Sequence, residues 1–255
     1  MKVSAVHTHK ITAQDRDLPA LLDAYLPPLA EQSAVAITSK IVAITQGRLV
    51  KAEGADKHAL IEEEADYFLP RSASRYDVLL TITRDIIIAN AGVDESNGNG
   101  YYVLWPRDPQ HVANEIRAHL RQRFGLHDLG VIITDSVTTP LRWGVTGAAI
   151  AHSGFLAVNN FVGHPDIFGR ALHMTKVNIA NALGAAAVLV MGEADEQTPL
   201  AVLHDLPFVQ FQDGDPTPAE LSSLHIELQN DLYAPLLKSV PWQTGHGGAK
   251  ASDLG

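Results

Sequence analysis

Apolar and polar positions along the chain fall into short blocks separated by turn formers. The three consecutive isoleucines of Asp85-Ile86-Ile87-Ile88-Ala89 predict a strand buried on both faces. Tyr101-Tyr102-Val103-Leu104-Trp105 predicts another, closed by Pro106. Between them lies the stretch around which the chain is organised, Asn90-Ala91-Gly92-Val93-Asp94-Glu95-Ser96-Asn97-Gly98-Asn99-Gly100, rich in residues that tolerate positive φ. Upstream, residues 2–12 read as an edge strand, and Leu18 to Leu26 as an amphipathic helix stopped by Pro27-Pro28. Ala34 to Thr38 reads as a buried strand ending in Ser39-Lys40, after which Ile41 to Thr45 could start a helix or continue extended. Gln46 to Arg48 is a turn, Lys57 to Phe68 a helix ended by Leu69-Pro70, and Val78 to Thr83 pairs with Ile86 to Asn90.

Downstream, Pro109 opens a helix to about Phe124, with Arg117, Arg121 and Arg123 toward the end that the helix dipole favours for cations. Leu129 to Thr134 reads as a buried strand ending at Asp135-Ser136, with a turn over 137–140. Arg142 to His152 has the glycine and small-residue content of a strand that something approaches closely. A strand over 155–159, a loop over 163–170, an Ala-rich helix over about 172–191, strands near Ala201 and Val209, and a helix from Pro218 to about Leu237 complete the pattern. Strands often follow strands directly. The pattern therefore predicts an α+β fold of mixed or antiparallel sheets with flanking helices, not a doubly wound parallel sheet. Residues 1–240 form one expected unit, with room for two subdomains, and 241–255 a poorly ordered tail.

Composition narrows the chemistry. The 255 residues carry 19 basic and 29 acidic side chains, a net charge of −10, which disfavours nucleic acid as a partner. With no apolar run long enough to span a bilayer, and a start lacking the apolar core of a signal peptide, the expected location is the cytoplasm. The absence of cysteine removes disulfides, thiolate metal sites and a Cys nucleophile. A phosphate-bearing ligand would need a metal or a locally cationic pocket.

Three carboxylates share a context: Asp94, Asp135 and Glu193 each follow an apolar element where the chain turns back to solvent. Each alone could be a turn former facing water. Together they could converge as hard oxygen ligands for Mg²⁺ or Mn²⁺, bridging nucleotide phosphates. The sequence contains no Walker loop, no dinucleotide-binding glycine fingerprint, no His-Glu-x-x-His and no Gly-x-Ser-x-Gly. His7 and His9 would share one face of a strand, as an edge pair does. Lys40, ending an apolar strand, is the best phosphate-binding cation, followed by Arg142 and Arg170.

Thr38-Ser39-Lys40-Ile41-Val42, Ala91-Gly92-Val93-Asp94-Glu95-Ser96-Asn97, Val131-Ile132-Ile133-Thr134-Asp135-Ser136, Asp166-Ile167-Phe168-Gly169-Arg170 and Val188-Leu189-Val190-Met191-Gly192-Glu193-Ala194, in that order, resemble the coenzyme F420-0:L-glutamate ligase family. The resemblance covers most of residues 2–210. It implies an intertwined homodimer of the ligase-like α+β fold, and a GTP-dependent ligase that joins L-glutamate to a carboxylate acceptor through an acyl phosphate, with two Mn²⁺ or Mg²⁺ ions. It further implies that Asp94 and Asp135 bind one ion, that Ser136 and Glu193 help bind the second, and that Asn97 contacts the nucleotide. Thr8, His9, Lys10 and Ile11, Ser39 with Lys40, and Met191, Gly192, Glu193, Ala194 and Asp195 would complete the nucleotide pocket, with Lys40 and Arg142 as catalytic cations. The chain departs from the family pattern in two places. Family members usually write Asp-Thr-Phe-Gly-Arg-Pro-Trp-Arg where this chain has Asp135 to Arg142, and a second lysine where it has Ile44. Metal chemistry is thus expected to persist with altered acceptor recognition, so a folate-type acceptor and a non-catalytic nucleotide- or metal-binding relative stand as alternatives to F420-0 ligation.

Overall fold

The computed structural model describes residues 1–74 and 76–247. Its elements, in chain order, are β1 (Lys2–Val6), α1 (Leu18–Tyr25), β2 (Ser33–Thr38), α2 (Ser39–Thr45), β3 (Leu49–Lys51), α3 (Lys57–Glu64), β4 (Tyr67–Phe68), β5 (Leu80–Thr83), β6 (Ile86–Ala89) and β7 (Tyr101–Val103). They continue with α4 (Pro109–Phe124), β8 (Leu129–Thr138), β9 (Val145–Ser153), β10 (Val158–Asn160), β11 (Lys176–Asn178), α5 (Ile179–Met191), β12 (Leu200–His204), α6 (Pro218–Leu224), α7 (Ala234–Leu237) and β13 (Gln243–Thr244).

A five-stranded sheet, ordered β1-β12-β2-β8-β9, forms the centre. Only β2 and β8 run parallel; the other pairs are antiparallel. Alternate side chains point to opposite faces of a strand, so each central strand feeds two cores. On one face Val35, Ile37, Val131 and Ile133 pack with Leu18, Leu21 and Leu22 of α1, Ile41 and Val42 of α2, and Ile116 and Leu120 of α4. On the other, Ala34, Ala36, Ile132 and Leu203 pack with Ile179, Leu183, Ala187 and Met191 of α5. Burial on both faces explains the near-continuous apolar runs of β2 and β8. The close approach expected along Arg142 to His152 is that of α5: a Cβ on Gly147 would lie 2.5 Å from the Gly184 carbonyl oxygen.

Beside this sheet, β13-β4-β5-β6 forms a smaller one and β3-β7 a two-stranded ribbon. Ile61, Ala65, Phe68, Leu79, Ala91, Val93 and Leu104 form its core. The organising stretch crosses from β6 to β7 and returns along the ribbon, where Asp94 N donates to the Val103 carbonyl at 3.0 Å and Val103 N donates to the Asp94 carbonyl at 2.7 Å. The architecture is α+β with mixed and antiparallel sheets. Among the described residues no helix is long and apolar enough to cross a membrane.

Several boundaries differ from those the pattern predicts. β1 stops at Val6, so His7 and His9 lie beyond it rather than on one strand face. Of the two readings left open for Ile41 to Thr45, the helix is the one that forms. α3 ends at Glu64 because Tyr67–Phe68 leaves to pair with β5. β6 borders its sheet, so Ile87 is 38% exposed and the isoleucine run is buried on one face only. β8 continues through Thr138, past the expected turn, because its polar end pairs with Val145 to Ala148. Helix α5 starts at Ile179, not near 172: Lys176–Asn178 pairs with β10, and the Asn178 side chain accepts from Asn181 N at the helix start. No strand forms at Val209; only an isolated bridge joins Phe155 and Phe211. The single helix expected over 218–237 is broken into α6 and α7, with Pro235 in the first turn of α7. Gln243–Thr244, within the expected tail, is strand β13 on β4, and 248–255 lie outside the described residues.

Candidate functional site

The candidate site lies where β2 passes into α2, where β8 runs out of the core, where the stretch 90–100 turns, and where α5 ends. Each of the four contributes an acid, a hydroxyl or a cation. Lys40 Nζ donates to Asp94 Oδ2 at 2.7 Å, to the Ser96 carbonyl at 2.8 Å and to Ser96 Oγ at 3.1 Å. Ser96 in turn donates to both Asp94 oxygens, from N to Oδ1 at 2.9 Å and from Oγ to Oδ2 at 2.6 Å. One residue earlier in α2, Ser39 Oγ donates to Asp135 Oδ2 at 3.1 Å. Trp105 Nε1 donates to the same oxygen, and Ser136 N donates to Oδ1 at 2.7 Å. Ser136 Oγ then donates to Glu193 Oε1 at 2.6 Å, and Asn97 Nδ2 to the Ala194 carbonyl at 2.8 Å. The carboxylates that end distant apolar elements thus share one bonded run, Asp94–Lys40, Ser39–Asp135, Ser136–Glu193.

Local backbone features make this convergence possible. The register between β8 and β9 shifts between Ile133 and Thr134, immediately before Asp135; such bulges re-aim the side chains that follow. The turn carrying Asp94 needs left-handed residues, among them Ala91 (φ 52°) and Gly92 (φ 73°). Ala91 is fully buried and its N–H is bonded to Thr81 Oγ1 at 2.9 Å, which holds it in that unfavourable conformation.

The two aspartates are tuned in opposite directions. Burial pushes the Asp94 carboxyl up, but the hydrogen bond and charge of Lys40, with the two bonds from Ser96, outweigh it and hold the group below its ordinary value. For Asp135 burial prevails, and the bonds from Ser136, Trp105 and Ser39 with the charge of Lys40 leave it above its ordinary value. A cation beside Asp135 would relieve that cost.

The donor set is made of hard oxygens, as Mg²⁺ and Mn²⁺ require. Among the described residues no three His, Asp or Glu side chains gather as a ligand set. Such a site fits Mg²⁺ held by one or two carboxylates, with waters and ligand phosphates completing the shell.

Other expected residues are placed less centrally. Thr8 is buried and its N–H bonds the Gln197 carbonyl at 3.0 Å, which ties the 8–11 segment to the one after α5. Met191 is buried, its carbonyl accepting from Thr198 Oγ1, and Gly192 (φ 81°) turns the chain against the Glu196 carboxylate. His9 is engaged elsewhere, its ring bonded to Tyr25 Oη at 2.7 Å and Asp15 Oδ1 at 2.8 Å. Lys10 and Asp195 are exposed, whereas Ile11 packs with the buried Ile44 and Val103 and the half-buried Leu49. Arg142 is not brought to the cluster: it lies exposed in the β8–β9 turn, its N–H bonded to the Thr139 carbonyl at 3.2 Å and its guanidinium reaching the neighbouring Leu141 carbonyl at 3.5 Å. Arg170 is likewise exposed. Trp105 was missed from sequence. A buried indole N–H requires an acceptor, but nothing along the chain names Asp135 as the one.

The family model described as F420-0:Gamma-glutamyl ligase matches residues 7–205, a span that includes every member of the bonded run. The chain belongs to this family. Among curated F420-0:gamma-glutamyl ligase relatives, the coenzyme F420:L-glutamate ligase of Methanopyrus kandleri is 45% identical over 132 residues, 51% of this chain and 52% of that protein. The protein of the same name from Methanocaldococcus jannaschii is 43% identical over 124 residues, 48% of this chain and 49% of that one. The chain thus spans about half the length of the curated relatives it matches.

Proposed function

We propose that this protein is a GTP- and divalent-cation-dependent ligase that joins L-glutamate to a carboxylate acceptor through an acyl phosphate, with F420-0 as the first acceptor. The observation that carries the reading is the continuous run from Lys40 and Asp94 through Ser39 and Asp135 to Ser136 and Glu193, inside the span matched to the family. On this reading Asp94 and Asp135 hold one Mn²⁺ or Mg²⁺ ion and Ser136 with Glu193 a second. Such ions, when bound, neutralise phosphate charge and polarise the phosphorus–oxygen bond under attack.

The chain's own groups have separable tasks. Lys40, now resting on Asp94, is the cation available to a γ-phosphate, where charge spreads over three oxygens as the group transfers. Ser39 and Ser136 keep the acids on either side of it oriented. Asn97 and the Ala194 carbonyl join the 90–100 turn to the segment after α5, forming the wall against which a nucleotide would lie. An acceptor carboxylate oxygen attacks the γ-phosphorus and GDP leaves; the glutamate amine then attacks the acyl carbon, phosphate departs with the former carboxylate oxygen, and the amine gives up a proton. A homodimer and a cytoplasmic location belong to the same proposal.

One observation favours a second acceptor class. Thr138, Thr139 and Leu141, exposed at the end of β8 and in its connection to β9, stand where the family pattern has Gly, Arg and Trp, so acceptor recognition is where this chain's sequence most plainly differs. A folate-type monoglutamate is the alternative. Purified protein with GTP or ATP, Mn²⁺ or Mg²⁺ and labelled glutamate, offered F420-0 and separately tetrahydrofolate monoglutamate, decides between them. Labelled product with F420-0 alone supports the first acceptor, and product with the folate alone the second. No acceptor-dependent phosphate release with either would leave a nucleotide- or metal-binding relative without ligase activity.

A further inference from the structure

We propose that Trp105 is a positioning residue for the cation site: its indole N–H, together with the Ser39 hydroxyl, fixes which oxygen of Asp135 remains free to bind. The proposal rests on the reading of Asp135 as a cation ligand. A carboxylate has about four accepting positions, two per oxygen. On Oδ2 both are taken, one by Ser39 Oγ and one by Trp105 Nε1. Oδ1 accepts only from Ser136 N, which leaves it one position to spare. Without the indole, Oδ2 would also be open and the carboxylate could turn about its Cβ–Cγ bond.

The indole is held firmly enough to impose this choice. Trp105 is 2% exposed. Its carbonyl accepts from Arg48 Nε at 2.9 Å, the preceding N–H, of Leu104, donates to the Arg48 carbonyl at 3.0 Å, and the following carbonyl, of Pro106, accepts from Arg84 Nη1 at 3.0 Å. Arg48 is itself paired with Glu64. The ring also supports the second aspartate. Gly92, two residues before Asp94, lies directly on it: a Cβ there would stand 2.1 Å from Nε1 and 2.2 Å from Cδ1. One side chain therefore sets both the orientation of Asp135 and the path of the turn that brings Asp94 to Lys40. A tryptophan present only to fill the core could satisfy its N–H with a backbone carbonyl; this one spends it on the buried acid of the site.

Trp105→Phe removes the N–H and keeps an aromatic ring. Partners of metal ligands typically change affinity by about 10- to 100-fold when lost, so Mn²⁺ titrated calorimetrically into this variant should bind at least about tenfold more weakly than into the unaltered protein. A purely structural role would lower the unfolding temperature and leave the Mn²⁺ affinity unchanged, which overturns the proposal. Asp135→Asn is measured alongside. If it too leaves Mn²⁺ affinity unchanged, the cation reading itself falls; if it abolishes binding while Trp105→Phe has no effect, only the role of Trp105 falls. Should Trp105→Phe not fold, the unaltered protein still decides. It holds three tryptophans, so Trp143→Phe and Trp242→Phe assign the indole proton resonance of Trp105 by elimination. That resonance must shift as Mg²⁺ saturates the protein, and a resonance that stays still overturns the proposal.

Discussion

Lys40 serves three acceptors at once, one on Asp94 and two on Ser96, in an otherwise acidic neighbourhood. A γ-phosphate would compete for the same ammonium, and charge-assisted hydrogen bonds contribute about 1.5–3 kcal/mol each. Lys40→Met, which keeps much of the stem, is expected to weaken GTP binding in the presence of Mg²⁺ by at least about tenfold. Calorimetric titration with GTP checks this, and unchanged affinity would place the phosphates elsewhere. A second residue-scale expectation concerns His152. Burial, only partly offset by Glu220 and reinforced by His225, lowers its pKa from 6.5 to about 4. The unfolded chain therefore takes up this proton near pH 6.5 and the folded protein only near pH 4, so the unfolded state binds more protons between them. Stability due to the neutral ring is present above pH 6.5 and lost as the pH falls toward 4, by about 3 kcal/mol in all. Urea midpoints from pH 7 to pH 4 should show that fall, and His152→Gln should flatten it. At this scale Asp94, Asp135, Glu193 and Lys40 were legible because each ends an apolar run. Trp105 and His152 were not, since their roles depend on partners or burial supplied by remote parts of the chain.

The strand β8 and the helix α5 show what apolar pattern can and cannot delimit. The buried half of β8 is visible in Leu129 to Thr134, but the half that carries Asp135 and Ser136 is polar, and it stays extended only because β9 runs beside it. The start of α5 was misplaced for a related reason: residues 172–178 carry helix-compatible side chains, yet pairing with β10 claims Lys176–Asn178. Where the composition reports a contact and not merely a propensity, the reading held. The small residues of β9 are there because α5 crosses it at Gly147 and Gly184. A methyl group on Gly147 would meet the Gly184 carbonyl at 2.5 Å and Val188 Cβ at 2.6 Å, neither of which is the end of a flexible side chain. Gly147→Ala should therefore destabilise the fold by about 1–3 kcal/mol, as overpacking does. Because α5 leads directly into Glu193, the same substitution should also loosen the Ser136–Glu193 bond. A denaturant midpoint lowered without a change in slope would match the first effect; an unchanged midpoint would mean that α5 can shift outward at no cost, contrary to the packing described.

For the whole molecule, the decisive feature is the apolar surface that a single chain leaves uncovered. Leu141 and Trp143, in the β8–β9 turn, are 99% and 92% exposed, and Ile167, Phe168 and Met174, between β10 and β11, are 92%, 89% and 88% exposed. Leu189, near the end of α5, adds another at 84%. Isolated exposed apolar residues are ordinary, but this many large ones are what a surface used for association would leave bare in a single chain. Leu141 and Trp143 follow β8, which carries Asp135 and Ser136, and Leu189 lies in α5, which leads into Glu193, so a second copy seated on them would come near that end of the site. This supports the proposed homodimer, which would also cover Arg142, since that residue sits between Leu141 and Trp143. Periodicity could not have shown it: inward and outward positions of a strand are read against the chain's own core, and a surface buried by a second copy looks like an error in the pattern. In sedimentation equilibrium at micromolar concentration the protein should therefore behave as twice its 27.5 kDa chain mass. Trp143→Ser combined with Phe168→Ser should return it to the single-chain mass with its far-ultraviolet circular dichroism intact, since neither side chain belongs to a core. If the unaltered protein sediments as a single chain, the dimer is excluded.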